Sequence, residues 1–166
     1  YNAEPYVLEA IGSALDQDYQ PIEILLIDDG STDGTVDRVR LEAPQVEIIQ
    51  QANAGAAAAR NAGLRRARGE FICFLDADDG WFPGKLTAQV DYLQQHPSVG
   101  LVFHRWFVWK PDERGNYIKP PDLMASVPGE IDPSRSGWLY PQLLLDCIVH
   151  TSSVMIRREV IQNIGF

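Results

Sequence analysis

The stretch that most constrains this chain is residues 71–79, Phe-Ile-Cys-Phe-Leu-Asp-Ala-Asp-Asp, where an apolar run that reads as a buried strand stops abruptly in three carboxylates. A strand that is apolar nearly throughout belongs in a sheet covered by helices on both faces. Three neighbouring acids repel one another, so they are either held together by a cation or left in solvent. Asp76 and Asp78, one residue apart, offer the hard oxygen ligands that Mg2+ and Mn2+ prefer, one carboxylate reaching a cation while the other reaches a neighbouring hydroxyl. The group that naturally completes such a site is a diphosphate.

A second apolar run, residues 21–27, ends in the same way, in Asp28-Asp29-Gly30. Around these two runs the pattern alternates. Val7, Leu8, Ile11, Ala14 and Leu15 are spaced as one face of a helix over residues 4–17. Ser31-Thr32-Asp33-Gly34-Thr35 supplies acceptor side chains to cap a helix over 36–41, and residues 46–50 read as a short second strand. An alanine-rich helix over 56–68 is expected to close at Gly69 through a residue of positive φ, followed by a third strand over 70–75. Pro83, Leu86, Val90 and Leu93 mark a helix over 81–95. Beyond it the sequence predicts a strand over 99–109, a long irregular loop over 111–133, a short helix over 138–145, a strand over 147–157 and a last helix over 158–164. Strands alternating with helices predict an α/β fold with a mostly parallel sheet and right-handed crossovers.

In an open α/β sheet, ligands bind outside the carboxyl ends of the strands, and both acid clusters fall at such ends. Taken alone, Asp28-Asp29-Gly30-Ser31 also fits a turn with helix-capping residues, and residues 76–79 also fit a solvated acidic loop. Their joint occurrence favours a site. Asn53-Ala54-Gly55 and Arg60 are the next candidates, because glycine lets backbone amides approach a ligand and a helix start attracts anions. Arg65, Arg66 and Arg68 read as solvated helix surface. His150, beside Thr151-Ser152-Ser153, reads either as an acceptor-site group or, in preference, as a satisfied histidine at a strand edge, and no Cys/His cluster has the spacing of a zinc site.

With 166 residues and 45% hydrophobic side chains, the chain has material for one core. Fourteen basic residues against 23 acidic ones, a net charge of −9, argue against a nucleic-acid surface. Cys73 and Cys147 each sit in an apolar run and read as reduced core residues. No apolar stretch approaches the roughly 18 residues of a membrane span and no signal peptide opens the chain, so a soluble, cytoplasmic protein is expected. The sequence opens on Tyr1 rather than Met and breaks off mid-pattern at Phe166, as a fragment would.

Four blocks, Tyr1-Asn2-Ala3-Glu4, Ile27-Asp28-Asp29-Gly30-Ser31-Thr32-Asp33, Asn53-Ala54-Gly55 with Ala59-Arg60-Asn61-Ala62-Gly63, and Arg68-Gly69-Glu70 leading to Phe74-Leu75-Asp76-Ala77-Asp78-Asp79, occur in an order that resembles the family 2 inverting glycosyltransferases of the GT-A fold. The resemblance is close over residues 1–100 and looser over 151–166. It implies a Rossmann-like α/β fold and a nucleotide-diphosphate sugar donor, a UDP-sugar first of all. Tyr1 would stack on the base, Asp29, next to Asp28, would accept from a ring N–H, and Asp76 would hold the ribose hydroxyls. Asp78 would bind the Mn2+ or Mg2+ that bridges the phosphates, with Asp79 behind it and Arg60 either assisting near the phosphates or only supporting the loop.

The same resemblance implies metal-dependent transfer, with inversion, to a glycan or lipid-linked acceptor. Any peripheral membrane association at the inner face would run through parts not in this chain. Residues 1–166 would form a single incomplete domain, with 1–100 its nucleotide-binding half and 101–166 the start of its acceptor-binding half. A central strand would precede Tyr1 and a carboxylate base would follow Phe166. The strands over 22–27 and 71–75 would then face each other across a gap, and the chain alone would transfer nothing. Two alternatives stay open at this point: a phosphoacceptor receiver domain, which leaves residues 53–63 unexplained, and a catalytically silent nucleotide-sugar binding module.

Overall fold

The computed structural model describes residues 1–108, 113–114, 132–137, 139, 143 and 147–165. The elements follow in the order α1 (Val7–Leu15), β1 (Leu25–Asp28), α2 (Thr35–Glu42), β2 (Glu47–Gln50), α3 (Ala56–Arg66), β3 (Phe71–Cys73), α4 (Lys85–Gln95) and β4 (Leu101–Val102). Short 3-10 turns at Pro133–Arg135 and Thr151–Ser153 precede β5 (Met155–Arg157) and α5 (Arg158–Ile164). The loop expected over 111–133 and the helix expected over 138–145 lie for the most part outside the described residues.

Among the described residues the strands form two sheets. β1 and β2 are parallel, from Leu25 opposite Glu47 to Asp28 opposite Gln50. β5 runs antiparallel between β3 and β4, with Phe71 opposite Arg157, Cys73 opposite Met155 and Leu101 opposite Ile156. Among the described residues no ladder joins β1 to β3.

Two apolar clusters hold these layers. Val7 and Ile11 of α1 meet Val39 of α2 and Val46, with Leu26 and Ile48 of the parallel pair packed against them. Leu86, Val90 and Leu93 of α4 meet Met155, with Phe71, Cys73 and Val102 alongside. The helical faces read from sequence are therefore the buried ones.

The boundaries differ where a side chain captures the backbone. α3 stops at Arg66, because Glu23 accepts from the amides of Arg68 and Gly69 at 2.5 and 2.9 Å and draws the chain out of the helix. Gly69 is not among the glycines of positive φ; a Cβ there would lie 3.1 Å from the Phe71 carbonyl oxygen instead. α4 starts only after Gly84, whose left-handed φ of 80° breaks the helical path that Trp81 was expected to open. Among the described residues, the strands expected over 99–109 and 147–157 shrink to β4 and β5. Arg157 closes this corner, giving its Nη2 to the Leu93 carbonyl at 2.5 Å and its Nε to the Val99 carbonyl at 2.9 Å.

One cysteine expectation is corrected: Cys147 is exposed rather than in the core, whereas Cys73 packs against the α4 cluster as expected, with the Lys85 ammonium 3.7 Å from its sulfur and burial pushing the thiol up. Among the described residues, no helix is long and apolar enough to cross a membrane.

Candidate functional site

β1 delivers its last residue, Asp28, and the following Asp29 into a buried corner, 2% and 5% exposed. Gly30 then turns the chain with φ 77°, and a Cβ there would stand 3.0 Å from the Asn53 amide nitrogen, so only glycine lets the two loops approach this closely. Asp29 ties them together. Its Oδ1 accepts from Gln51 Nε2 at 2.7 Å and from the Ala54 amide at 2.9 Å, and its Oδ2 accepts from the Gly55 amide at 2.8 Å. The Gln51 bond first, then the loop amides, hold this carboxyl below the usual aspartate range. Asp28 faces the Ser31 amide with both oxygens at 3.3 Å.

The amino end is stitched to the loop after β1. The Asn2 amide donates to Ser31 Oγ at 2.9 Å while its Oδ1 accepts from the Thr32 amide at 2.8 Å. The Ala3 amide donates to Thr35 Oγ1 at 2.9 Å, and Glu4 accepts from the Gly34 amide at 3.0 Å. Two blocks some 30 residues apart in sequence thus form one unit, which leaves Tyr1 61% exposed at the rim.

The second rim starts at Asp76, three residues beyond the end of β3. The chain leaves the ladder because the Asp76 amide donates to Ser152 Oγ at 3.0 Å rather than to a strand. The Asp79 amide donates to the Asp76 carbonyl at 3.0 Å, closing a turn with Ala77 and Asp78 at its centre. Ala77 packs against the α1–α2 cluster, while Asp78 is exposed and has no hydrogen-bond or ion-pair partner among the described residues. Asp79 Oδ2 accepts from the Ser152 hydroxyl at 2.5 Å and lies 3.8 Å from His150 Nδ1.

α3 joins the two rims. Its amino end is held by Asp29, and one turn later Arg60 Nη2 donates to Asp76 Oδ1 at 2.8 Å. From Gly55 to Arg60 the helix rises only about 7 Å. Gly63 allows the approach: a Cβ there would lie 3.3 Å from Ile27 Cγ1 on β1. Asp29, Arg60, Asp76 and Asp78 are thereby brought to one edge of the molecule.

This donor set suits a hard divalent cation in one particular way. Among the described residues no three metal-ligating side chains converge, and of the acids in the turn only Asp78 is unengaged. Mg2+ and its like are commonly held by one or two carboxylates with substrate phosphates completing the shell, and an unengaged Asp78 beside Asp76 fits that pattern. Sequence reasoning missed Gln51, Glu4 and above all Ser152, which lies 76 residues from Asp76 and carries no charge to mark it.

The family described as Glycosyl transferase family 2 matches residues 1–165. An uncharacterized glycosyltransferase of Nostoc sp. is 35% identical over 99% of this chain and 50% of its own length. The Escherichia coli protein WfaP, named a UDP-Glc:alpha-D-GlcNAc-diphosphoundecaprenol beta-1,3-glucosyltransferase, is 30% identical over 100% of this chain and 61% of its own length. The chain thus spans half to about three fifths of the length of these curated relatives. Among solved structures, S. aureus TarS 1-349 in complex with UDP superposes with TM-score 0.67 at 23% identity, over 98% of this chain and 46% of that one. The mannosyltransferase PcManGT of Pyrobaculum calidifontis, in complex with GDP-Man and Mn2+, does so with TM-score 0.64 at 24% identity, over 99% and 44%. The fold is the α/β arrangement of GT-A glycosyltransferases.

Proposed function

The chain belongs to glycosyl transferase family 2, and from that premise we propose that it binds a nucleotide-diphosphate sugar, UDP-linked in the first instance, for transfer with inversion to a glycan or lipid-linked acceptor on the cytoplasmic side of the membrane. The observation that supports this reading is the bridge made by α3, which is anchored at Asp29 and gives Arg60 to Asp76, an arrangement suited to one small molecule reaching both acid rims. The names of WfaP, with its UDP-glucose donor and lipid-linked acceptor, and of the UDP complex of TarS support the donor and acceptor classes.

In this reading Tyr1 stacks on the base, and Asp29, with one lone pair left on Oδ2 after three internal bonds, accepts from a ring N–H. Asp28 braces the turn behind it. Asp76 keeps Oδ2 for the ribose hydroxyls while Arg60 on Oδ1 lies near the phosphates. Asp78 holds Mn2+ or Mg2+, a choice supported by the Mn2+ complex of PcManGT. When bound, the cation neutralises charge on the departing diphosphate. Inversion also needs a base for the proton of the acceptor hydroxyl, and none of these residues is placed in that role. Residues 1–100 form the donor half and residues 101–166 begin the acceptor half.

The test is calorimetric titration of UDP and GDP with and without Mn2+, with acetyl phosphate as a control. Nucleotide binding that tightens with Mn2+ is the expected result. A protein indifferent to nucleotide but modified by acetyl phosphate would overturn it in favour of a receiver. Cation-dependent binding without transfer by the full-length protein would leave a silent binding module.

A further inference from the structure

Ser152 is 6% exposed, far from the acid turn in sequence, and uses its single hydroxyl twice on that turn. It accepts from the Asp76 amide at 3.0 Å and donates to Asp79 Oδ2 at 2.5 Å, so it pins the first and last residues of the turn whose centre is Ala77-Asp78. The serine is itself held. Its carbonyl accepts from Trp81 Nε1 at 2.8 Å, and the next carbonyl, that of Ser153, accepts from Gln89 Nε2 at 2.9 Å. The 3-10 turn Thr151–Ser153 is tightened by the Ser153 amide and hydroxyl, both donating to the His150 carbonyl at 2.9 and 2.6 Å.

We infer that Ser152 is a positioning residue for the cation: by clamping Asp76 to Asp79 it keeps the Asp79 carboxylate engaged and leaves Asp78 as the free ligand at the apex. The inference rests on the donor-site reading above. Without the hydroxyl, the Asp76 amide loses its acceptor and the Asp79 carboxylate is released beside Asp78, so the turn samples other shapes and the carboxylate that meets the cation is no longer fixed. Partners of this kind, which orient a metal ligand without touching the metal, typically change metal affinity by about 10- to 100-fold when removed.

The experiment measures the Mn2+ concentration that half-saturates UDP binding to the full-length protein, by calorimetry, for wild type, Ser152→Ala, Ser152→Thr and Asp79→Ala. Ser152→Ala should raise that concentration about tenfold, a larger change than in cation-free UDP binding, and Ser152→Thr, which keeps the hydroxyl, should restore it. Asp79→Ala removes the half-exposed end of the same link without touching the buried serine. It should produce a similar rise, and the double variant no further one, which keeps the inference testable if Ser152→Ala fails to fold. Wild-type protein that binds UDP with Mn2+ dependence, while Ser152→Ala or Asp79→Ala shows the wild-type cation requirement, overturns the positioning role alone. Wild-type protein that binds no nucleotide at any Mn2+ concentration overturns the donor site and this role together.

Discussion

Arg60 reaches from α3 to Asp76 across 2.8 Å, while both side chains stay more than a third exposed. An ion pair this open contributes at most about 1 kcal/mol to folding. Its weight should therefore fall on the ligand. Arg60→Ala is expected to lower unfolding free energy by less than about 1 kcal/mol and to weaken UDP binding about tenfold, the worth of one charge-assisted hydrogen bond. Denaturant titration and calorimetry on the same preparation check it. A loss of several kcal/mol in stability, with affinity intact, would make the pair a structural brace instead.

Asp78 has no internal partner to lose among the described residues. Asp78→Asn should accordingly leave the thermal midpoint within about 2 °C, as surface substitutions do. It should also abolish the Mn2+ dependence of nucleotide binding, since an amide is a far poorer ligand than a carboxylate for a hard cation. An unchanged manganese titration in this variant would count against Asp78 as the ligand.

How much of this was legible follows from what each residue advertises. Asp28, Asp29, Asp76 and Asp78 stand out because a buried apolar run that ends in charge marks the point where a strand leaves the core, and the faces of α1 and α4 stand out because their apolar spacing is helical. Ser152 and Gln51 do not. They are neutral, they act through contacts made 76 and 22 residues away, and nothing local separates them from surface polar residues. The short reach of β3 was hidden for a related reason: Phe74 and Leu75 are as apolar as strand residues, yet pairing ends at Cys73 and the Asp76 amide goes to a side chain. That β5 runs antiparallel between β3 and β4 is a matter of long-range pairing, which local pattern does not encode.

Asp29 predicts a pH dependence. Its carboxyl is held below the ordinary range by Gln51 first and then by the Ala54 and Gly55 amides, so the folded chain binds its proton less readily than the unfolded one. The stabilisation is thus fully present above the unfolded value of about 3.9 and is lost as pH falls through that range toward the depressed folded value. Asp29→Asn, which turns an N–H2 toward donors, should be less stable than wild type at pH 7, with the difference shrinking below pH 4. Urea midpoints at pH 7, 4 and 3 measure it, and a difference that stayed constant would mean that the charge of Asp29 is not what holds the loop.

Gly63 sets the distance between α3 and β1, and two substitutions there separate helix propensity from packing. Alanine adds a Cβ 3.3 Å from Ile27 Cγ1, a tight contact that requires the isoleucine to give by a few tenths of an ångström. It also removes glycine from a helix interior, a gain of about 1 kcal/mol. The two effects should nearly cancel. Valine places two further methyl groups against the same isoleucine and has poorer helix propensity, so it should cost about 1–3 kcal/mol by forcing the helix away from the strand. Because α3 also carries Arg60 and begins at the amides held by Asp29, that displacement should pull Arg60 from Asp76 and weaken UDP binding in the valine variant alone. Stability and affinity that fell together in Gly63→Val but not in Gly63→Ala would tie the donor site to the seating of this helix. A valine variant with wild-type affinity would show that the site tolerates the shift.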